Sequence, residues 1–293
     1  MTADTATDVF EEHRPLLLGV AYRMLGRVAD AEDVVQDAWL RWSSADRAEV
    51  RRPRAYLVRV ATHLALDRLN RVKARDEAYV GPWLPEPYVT DFGDTVQDAA
   101  ERAVLADSVS LAVLVVLESL SPLERAVFVL REAFGYPHAE IAAVLDRSES
   151  AVRQLAGRAR RHVDERRPRY EVDPAQRREL TERFLAAAAE GDLEGLMALL
   201  APDARLVGDS GGKAQSPRRI LENADHVARF VLGVARKGLP DFSFRFLELN
   251  GGTAVLALSG DKPDAVIQID AAGGLVRRVY VIRNPDKLRA LQA

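Results

Sequence analysis

The chain has 293 residues, of which 48% are hydrophobic and 29% charged, and a net charge of −3; this length predicts two or three domains rather than a single core. It has no cysteine, which excludes disulfides, thiolate zinc sites and a cysteine nucleophile, and its five histidines (His13, His63, His138, His162, His226) are too scattered for a metal cluster. The apolar run 111–117 falls far short of the roughly 20 residues of a membrane span, and the acidic start MTADTATDVFEEHR lacks the basic and apolar regions of a secretory signal. No metal, cofactor or membrane partner is therefore expected, and a cytoplasmic location is.

The first predicted element is a helix over 9–25, with Gly26 as its C-cap. The second opens at Asp30 in DAEDVVQDAWLRW, with acids in its first turn and Val34, Val35, Ala38, Trp39 and Trp42 on an apolar face. A third covers 54–72, with Tyr56, Val60, Leu64 and Leu57 inward and arginines outward, so residues 8–76 read as a helical domain. Between Arg47 and Arg75 nine basic residues face two acidic ones, which suits a polyanion-binding surface but equally suits solvated helix faces.

The stretch GPWLPEPYVT, within a linker over 77–102, breaks the helical pattern. Pro82, Pro85 and Pro87 exclude a continuous helix. Exposed Trp83 and Leu84 would cost solubility, so some other part of the molecule should cover them. From Glu86 to Glu118 there are seven acids and one base, so this connector avoids polyanions.

Residues 103–168 form the next domain. An apolar helix over 103–120 precedes SPLE (121–124), a capping box with proline at the first helical position. Three helices follow, broken at 135–137 and 146–148. The last two, HAEIAAVL and an arginine-loaded helix from Ser148, have the layout of a helix-turn-helix. Ile141, Ala142, Leu145, Val152 and Leu155 would pack the pair, leaving Glu149, Ser150, Arg153, Gln154 and Arg158 outside, where base edges and phosphates are met. Seven arginines lie between Arg153 and Arg169.

Residues 175–293 read as two helices and a strand, a long third helix N-capped by Ser216 with Pro217 behind it, and four strands. Turns fall at 250–252 and 271–274. Helices on one side of a curved antiparallel sheet make an α+β domain with room for a pocket and a small ligand. An acid–base site in that pocket could be nominated from Asp209 or Asp203 with Tyr280, but no spacing supports the pair, so the chain is expected not to be an enzyme.

MLGRVADAEDVVQDAWLRW, AYLVRVATHLALDRLNR and LSPLERAVFVLREAFGYPHAEIAAVLDRSESAVRQLAGRARR resemble, in order, the two domains of sigma-70 factors of the extracytoplasmic-function group, over residues 8–168. The resemblance implies two all-α sigma domains, the second with the helix-turn-helix, that direct bacterial core RNA polymerase to promoter DNA. It places Asp33, Gln36, Asp37 and Leu40 at the polymerase clamp. It implies that 43–69 melts and reads the downstream promoter element, giving Arg51, Arg54, Arg59, His63 and Arg68 DNA-binding roles, with His63 where many members have Asn. In the helix-turn-helix it implies upstream-element contacts by Ser148, Ser150, Arg153, Gln154, Arg158 and Arg161.

WLPEP (83–87), DSGGK (209–213) and NPDKL (284–288) resemble features of the SigJ-like group, which carries a fused SnoaL-like, NTF2-type cone; Ser210 replaces that group's usual Gly. The implied regulatory residues are Trp83, Leu84, Pro85, Glu86, Pro87, Asp209, Gly211, Gly212, Lys213, Asn284, Pro285 and Asp286. The cone is expected to tune activity in cis, with no obligatory separate anti-sigma factor, Trp83 and Leu84 packing near the Asp209 loop. The alternative is a one-component helix-turn-helix regulator that senses a ligand in the cone.

Overall fold

The computed structural model describes residues 3–46, 50–73, 79–89, 110–166, 173–237 and 242–291. Most of the acidic connector, the first turns of the helix expected over 103–120, and Arg47, Arg75, Arg167 and Arg169 lie outside the described residues. The described chain falls into two units, one built from 3–73 and 113–166, the other from 79–89 and 173–291.

In the first unit α1 (Ala3–Leu25), α2 (Val28–Ser44) and α3 (Pro53–Lys73) pack around Leu17, Val20, Val34, Val35, Ala38 and Trp42. Trp42 is fully buried and its indole N–H donates to the Ala6 carbonyl at 2.9 Å, which satisfies its one polar atom. Gly26 ends α1 with φ 67° and donates to the Tyr22 carbonyl at 2.7 Å. The inward stripe of α3 differs from the periodicity reading: Leu57, Val58, Ala61, Ala65 and Leu69 are buried, while Tyr56 and Leu64 are only half-buried. The reason is that α3 is covered from two sides, by α1 and α2 and by the helices over Pro122–Phe128 and His138–Leu145, so no single stripe describes it.

The remaining helices of this unit are α4 (Leu111–Leu117), α5 (Pro122–Phe128, continued by a π-turn over Val129–Ala133), α6 (His138–Leu145) and α7 (Glu149–Arg166). Ser121 and Glu124 form the reciprocal capping box, with Pro122 at the first helical position. Arg125, 1% exposed, is the polar centre: it donates to the carbonyls of Leu117 (2.9 Å) and Met24 (2.7 Å) and to Glu118 (2.8 Å). Those acceptors offset part of the cost of burying a guanidinium, whose other terminal nitrogen is buried without a partner, and they join the two halves of the unit.

In the second unit α8 (Pro174–Glu190) and α9 (Leu193–Leu199) lead into β1 (Leu200–Asp209), β2 (Leu221–Glu222), α10 (Ala224–Lys237), β3 (Phe242–Leu249), β4 (Gly252–Ser259), β5 (Lys262–Ala272) and β6 (Leu275–Ile282). The sheet order is β2-β1-β6-β5-β4-β3, with β1 and β6 parallel and the other neighbours antiparallel. Asn250 and Gly251 (φ 51° and 67°), then Gly273 and Gly274 (φ 61° and 76°), supply the left-handed residues that two-residue hairpins require. Leu180, Phe184, Leu196, Leu206, Val227, Ile269 and Val279 form the core between helices and sheet of this α+β cone.

One helix boundary is corrected. Ser216 does not cap a helix: α10 begins eight residues later, and the Asn223 side chain, from φ 68°, accepts the His226 N–H at 3.0 Å. Sheet pairing overrides the Ser-Pro signal, because Leu221 and Glu222 pair with Leu206 and Arg205.

Candidate functional site

On α2 the side chains of Asp33, Gln36, Asp37 and Leu40 form one exposed stripe at helical spacing, and Leu40 is 62% exposed. Asp33 also pairs with Arg68 (2.5 Å), whose Nε reaches Asp30 at 3.1 Å.

The basic residues of α3 are turned in part toward the chain's own acids. Arg59 bonds both oxygens of Asp146 at 2.8 Å, and His63 Nε2 donates to the Val144 carbonyl at 2.7 Å. Arg54 lies over the Tyr136 ring at 5.5 Å; Arg51, Arg54 and Arg59 are exposed, whereas His63 and Arg68 are half-buried. Asp146 is the C-cap of α6 at φ 53°, a left-handed position that Asp tolerates better than most residues. The helix-turn-helix corner thus occupies Arg59 and His63.

Within α6 and α7, Ile141, Ala142, Leu145 and Val152 are buried and Leu155 half-buried, whereas Ser148, Glu149, Ser150, Arg153, Gln154, Arg158 and Arg161 are exposed. The Ser148 hydroxyl accepts the Ala151 N–H at 3.2 Å and so caps α7. Arg153 pairs with Glu149 one turn back, and Arg158 with Glu124 at 3.0 Å. Pairs at the surface hold their side chains weakly.

The second unit contains a clasp on the proline-rich segment. Asp209, at the end of β1, is fully buried, and its carboxylate takes four donors: the Tyr79 hydroxyl (2.5 Å), the Gly211 N–H (3.1 Å), the Leu84 N–H (2.8 Å) and Lys287 Nζ (2.6 Å). Lys287, 2% exposed, also donates to the Leu84 carbonyl and sits 4.2 Å from the Trp83 ring centroid. Leu84 is fully buried, Pro85, Glu86 and Pro87 are buried, and Trp83 is half-buried. Farther along, Tyr88 and Asn250 exchange hydrogen bonds (3.2 and 2.9 Å) and Val89 bridges Leu249. Residues 79–89 are therefore an extended strap on the cone.

The motif residues divide the work. Gly211 sits where a Cβ would come 2.5 Å from Asn284 Nδ2, and it and Gly212 have positive φ (55° and 76°), so both need glycine. Ser210 is not left-handed, and its Oγ accepts the Gly212 N–H at 3.3 Å, so serine in place of glycine carries no strain there. Asn284 donates to the Tyr79 hydroxyl (2.9 Å) and, ahead of Pro285, accepts the Asp286 N–H (3.1 Å). Lys213 pairs with Asp286 at the surface, which holds that carboxyl below its ordinary range. Tyr79, Lys287 and Asn250 were not among the expected site residues; their part depends on tertiary placement, and the sequence marked Lys287 only as part of NPDKL and Asn250 only as a turn residue.

Between α8, α10 and the sheet lies a cavity of about 370 Å³, lined by Phe184, Phe230, Val231, Phe244, Ile267 and Val279 among others. Asp203, Asp209 and Tyr280 do not line it: Asp203 is ion-paired with Arg277 at 3.1 Å, Asp209 serves the clasp, and Tyr280 is buried elsewhere with its pKa pushed up to about 12 by that burial. Arg283 is the one ionisable residue in its lining.

Residues 9–75 match the Sigma-70 region 2 family and residues 110–163 the Sigma-70 region 4 family. Over 288 residues, 95% of this chain and 91% of the relative, it is 42% identical to the ECF RNA polymerase sigma factor SigJ of Mycobacterium tuberculosis. The chain belongs to the extracytoplasmic-function sigma factors. It is also 33% identical to the probable sigma factor SigI of M. tuberculosis over 99% of this chain and 97% of that one. The crystal structure of M. tuberculosis SigJ superposes with a TM-score of 0.75 at 38% identity, covering 96% of this chain and 98% of that chain. As a sigma factor of the SigJ type, the chain works in transcription initiation with core RNA polymerase and promoter DNA. No described helix is long and apolar enough to cross a membrane.

Proposed function

We propose that this cytoplasmic sigma factor is controlled in cis by its cone, which holds the connector between regions 2 and 4 through the Asp209–Lys287 clasp. The observation that carries the reading is the buried Asp209 carboxylate, which accepts the Leu84 N–H while Lys287 binds the Leu84 carbonyl. Residues 79–89 held on the cone are removed from the free tether between the two DNA-reading domains, and releasing them lengthens it. The two promoter elements lie apart along DNA, so tether length bears on whether both are read at once. Control of this kind needs no separate anti-sigma protein and no catalytic turnover by the cone.

In this reading Asp33, Gln36, Asp37 and Leu40 dock on polymerase. Arg51 and Arg54 engage the opened strand, joined by Arg59, His63 and Arg68 once Asp146, Val144, Asp30 and Asp33 release them. Ser148, Ser150, Arg153, Gln154, Arg158 and Arg161 contact the upstream element. Run-off transcription with core polymerase, comparing Trp83→Ala with the unaltered chain, tests the clasp's part. Altered promoter output together with a changed small-angle scattering profile is expected, and identical output and scattering would remove the clasp from the mechanism.

A further inference from the structure

The strongest unassigned feature is the cone's cavity. Four phenylalanines line it (Phe184, Phe230, Phe242, Phe244), together with Leu206, Val231, Ile267, Val279 and Val281. Val234, Phe242 and Phe244, which also line it, are 48%, 38% and 45% exposed, so its mouth opens to solvent through apolar side chains. Its volume falls in the range of small-molecule sites. Its single charged residue is already occupied: the Arg283 guanidinium gives its two terminal nitrogens to the Gln215 carbonyl and to both oxygens of Asp264, each at 2.8 Å. A charged ligand would therefore be desolvated here without compensation.

The wall holding Gln215, Ser216 and Arg283 is continuous with the clasp. The Arg283 N–H donates to the Asp209 carbonyl at 2.7 Å, one residue's length from the carboxylate that holds Leu84. Gly208, beside Asp209, lets 216–217 lie against β1; a Cβ there would come within 2.2 Å of Ser216 Oγ and 2.9 Å of Pro217 Cδ. Two donors in this wall, Ser216 Oγ and Arg283 Nε, are buried without a partner. A ligand oxygen could reach them only by shifting the wall, and the shift would be felt at Asp209.

We infer that the cavity binds an uncharged apolar small molecule, aromatic or alicyclic with at most one or two oxygen acceptors, and that its occupancy alters the hold of the clasp on residues 79–89. The coupling rests on the clasp proposed above; the binding does not. The test is a fluorescence titration of the full chain with N-phenyl-1-naphthylamine, an uncharged apolar probe, paired with amide hydrogen exchange over 79–89. Saturable one-to-one enhancement is expected, lost by at least tenfold in affinity in Val231→Trp, which fills the cavity, at an unchanged melting temperature. Ile267→Trp serves if that variant does not fold. Exchange at the Leu84 amide should change at least threefold on saturation. Absent binding, or binding indifferent to the filling variants, would overturn the site; binding with unchanged exchange at Leu84 would overturn the coupling. Neither needs polymerase, so a failure here is distinct from a failure of transcriptional control.

Discussion

Asp209 and Lys287 show how much one buried pair can organise. Each is nearly inaccessible, and each is satisfied only because strap and cone are both present. Removing one partner leaves a buried charge, so Asp209→Leu or Lys287→Met alone should cost about 3–5 kcal/mol in urea unfolding, and the double replacement should cost much less than the sum. Equal additive losses would mean that the charges do not see each other. Arg153 and Arg161 separate two kinds of DNA contact. Arg153→Ala should cost about 1–3 kcal/mol of binding at the cognate promoter and relax preference at one base position, whereas Arg161→Ala should weaken all sequences evenly and lower the salt slope. Even loss across promoter variants for Arg153→Ala would refute base reading. At this scale the sequence was partly legible: a Trp-Leu pair among prolines demands cover, but Tyr79, Asn250 and Lys287, distant in the chain, gain their place only from the fold.

At the level of elements, local signals were readable where nothing competed with them. The Ser121–Glu124 capping box stands as SPLE suggests, and the glycine-rich turns join the expected hairpins. The Ser216-Pro217 signal lost to strand pairing, and the α3 stripe was blurred because two layers cover that helix. The capping box carries a pH consequence. The Ser121 hydroxyl, more than any other contact, holds the Glu124 carboxyl below the ordinary value of 4.5. A depressed folded pKa contributes stability above the unfolded value and loses it as pH falls through the folded one. Thermal unfolding between pH 5 and about 3 should therefore be less pH-dependent in Ser121→Ala than in the unaltered chain, and equal slopes would deny the linkage. The corner of the helix-turn-helix gives another test. Asp146→Asn keeps a side chain that tolerates φ 53° but removes the charge that Arg59 grips. An exposed pair is worth roughly 0.2–1 kcal/mol, so affinity for promoter DNA should rise by up to about fivefold at low salt and less at high salt; unchanged affinity would show that Arg59 is not held back by Asp146.

For the whole molecule, the sigma architecture was legible because two separate motif blocks stand in order, and the cone because helices precede a run of strands joined by glycine turns. What composition could not reveal is that the connector belongs in part to the cone, since its burial depends on a carboxylate more than a hundred residues away. The central claim, a sigma factor whose cone acts through that connector, is tested most directly by run-off transcription from a promoter library with bacterial core polymerase, comparing the full chain with one ending near residue 169. The account predicts core-dependent initiation from both and a difference in output between them. Initiation of equal strength from both would remove the cone from control, and no initiation from either, where a control sigma factor works, would contradict the account as a whole.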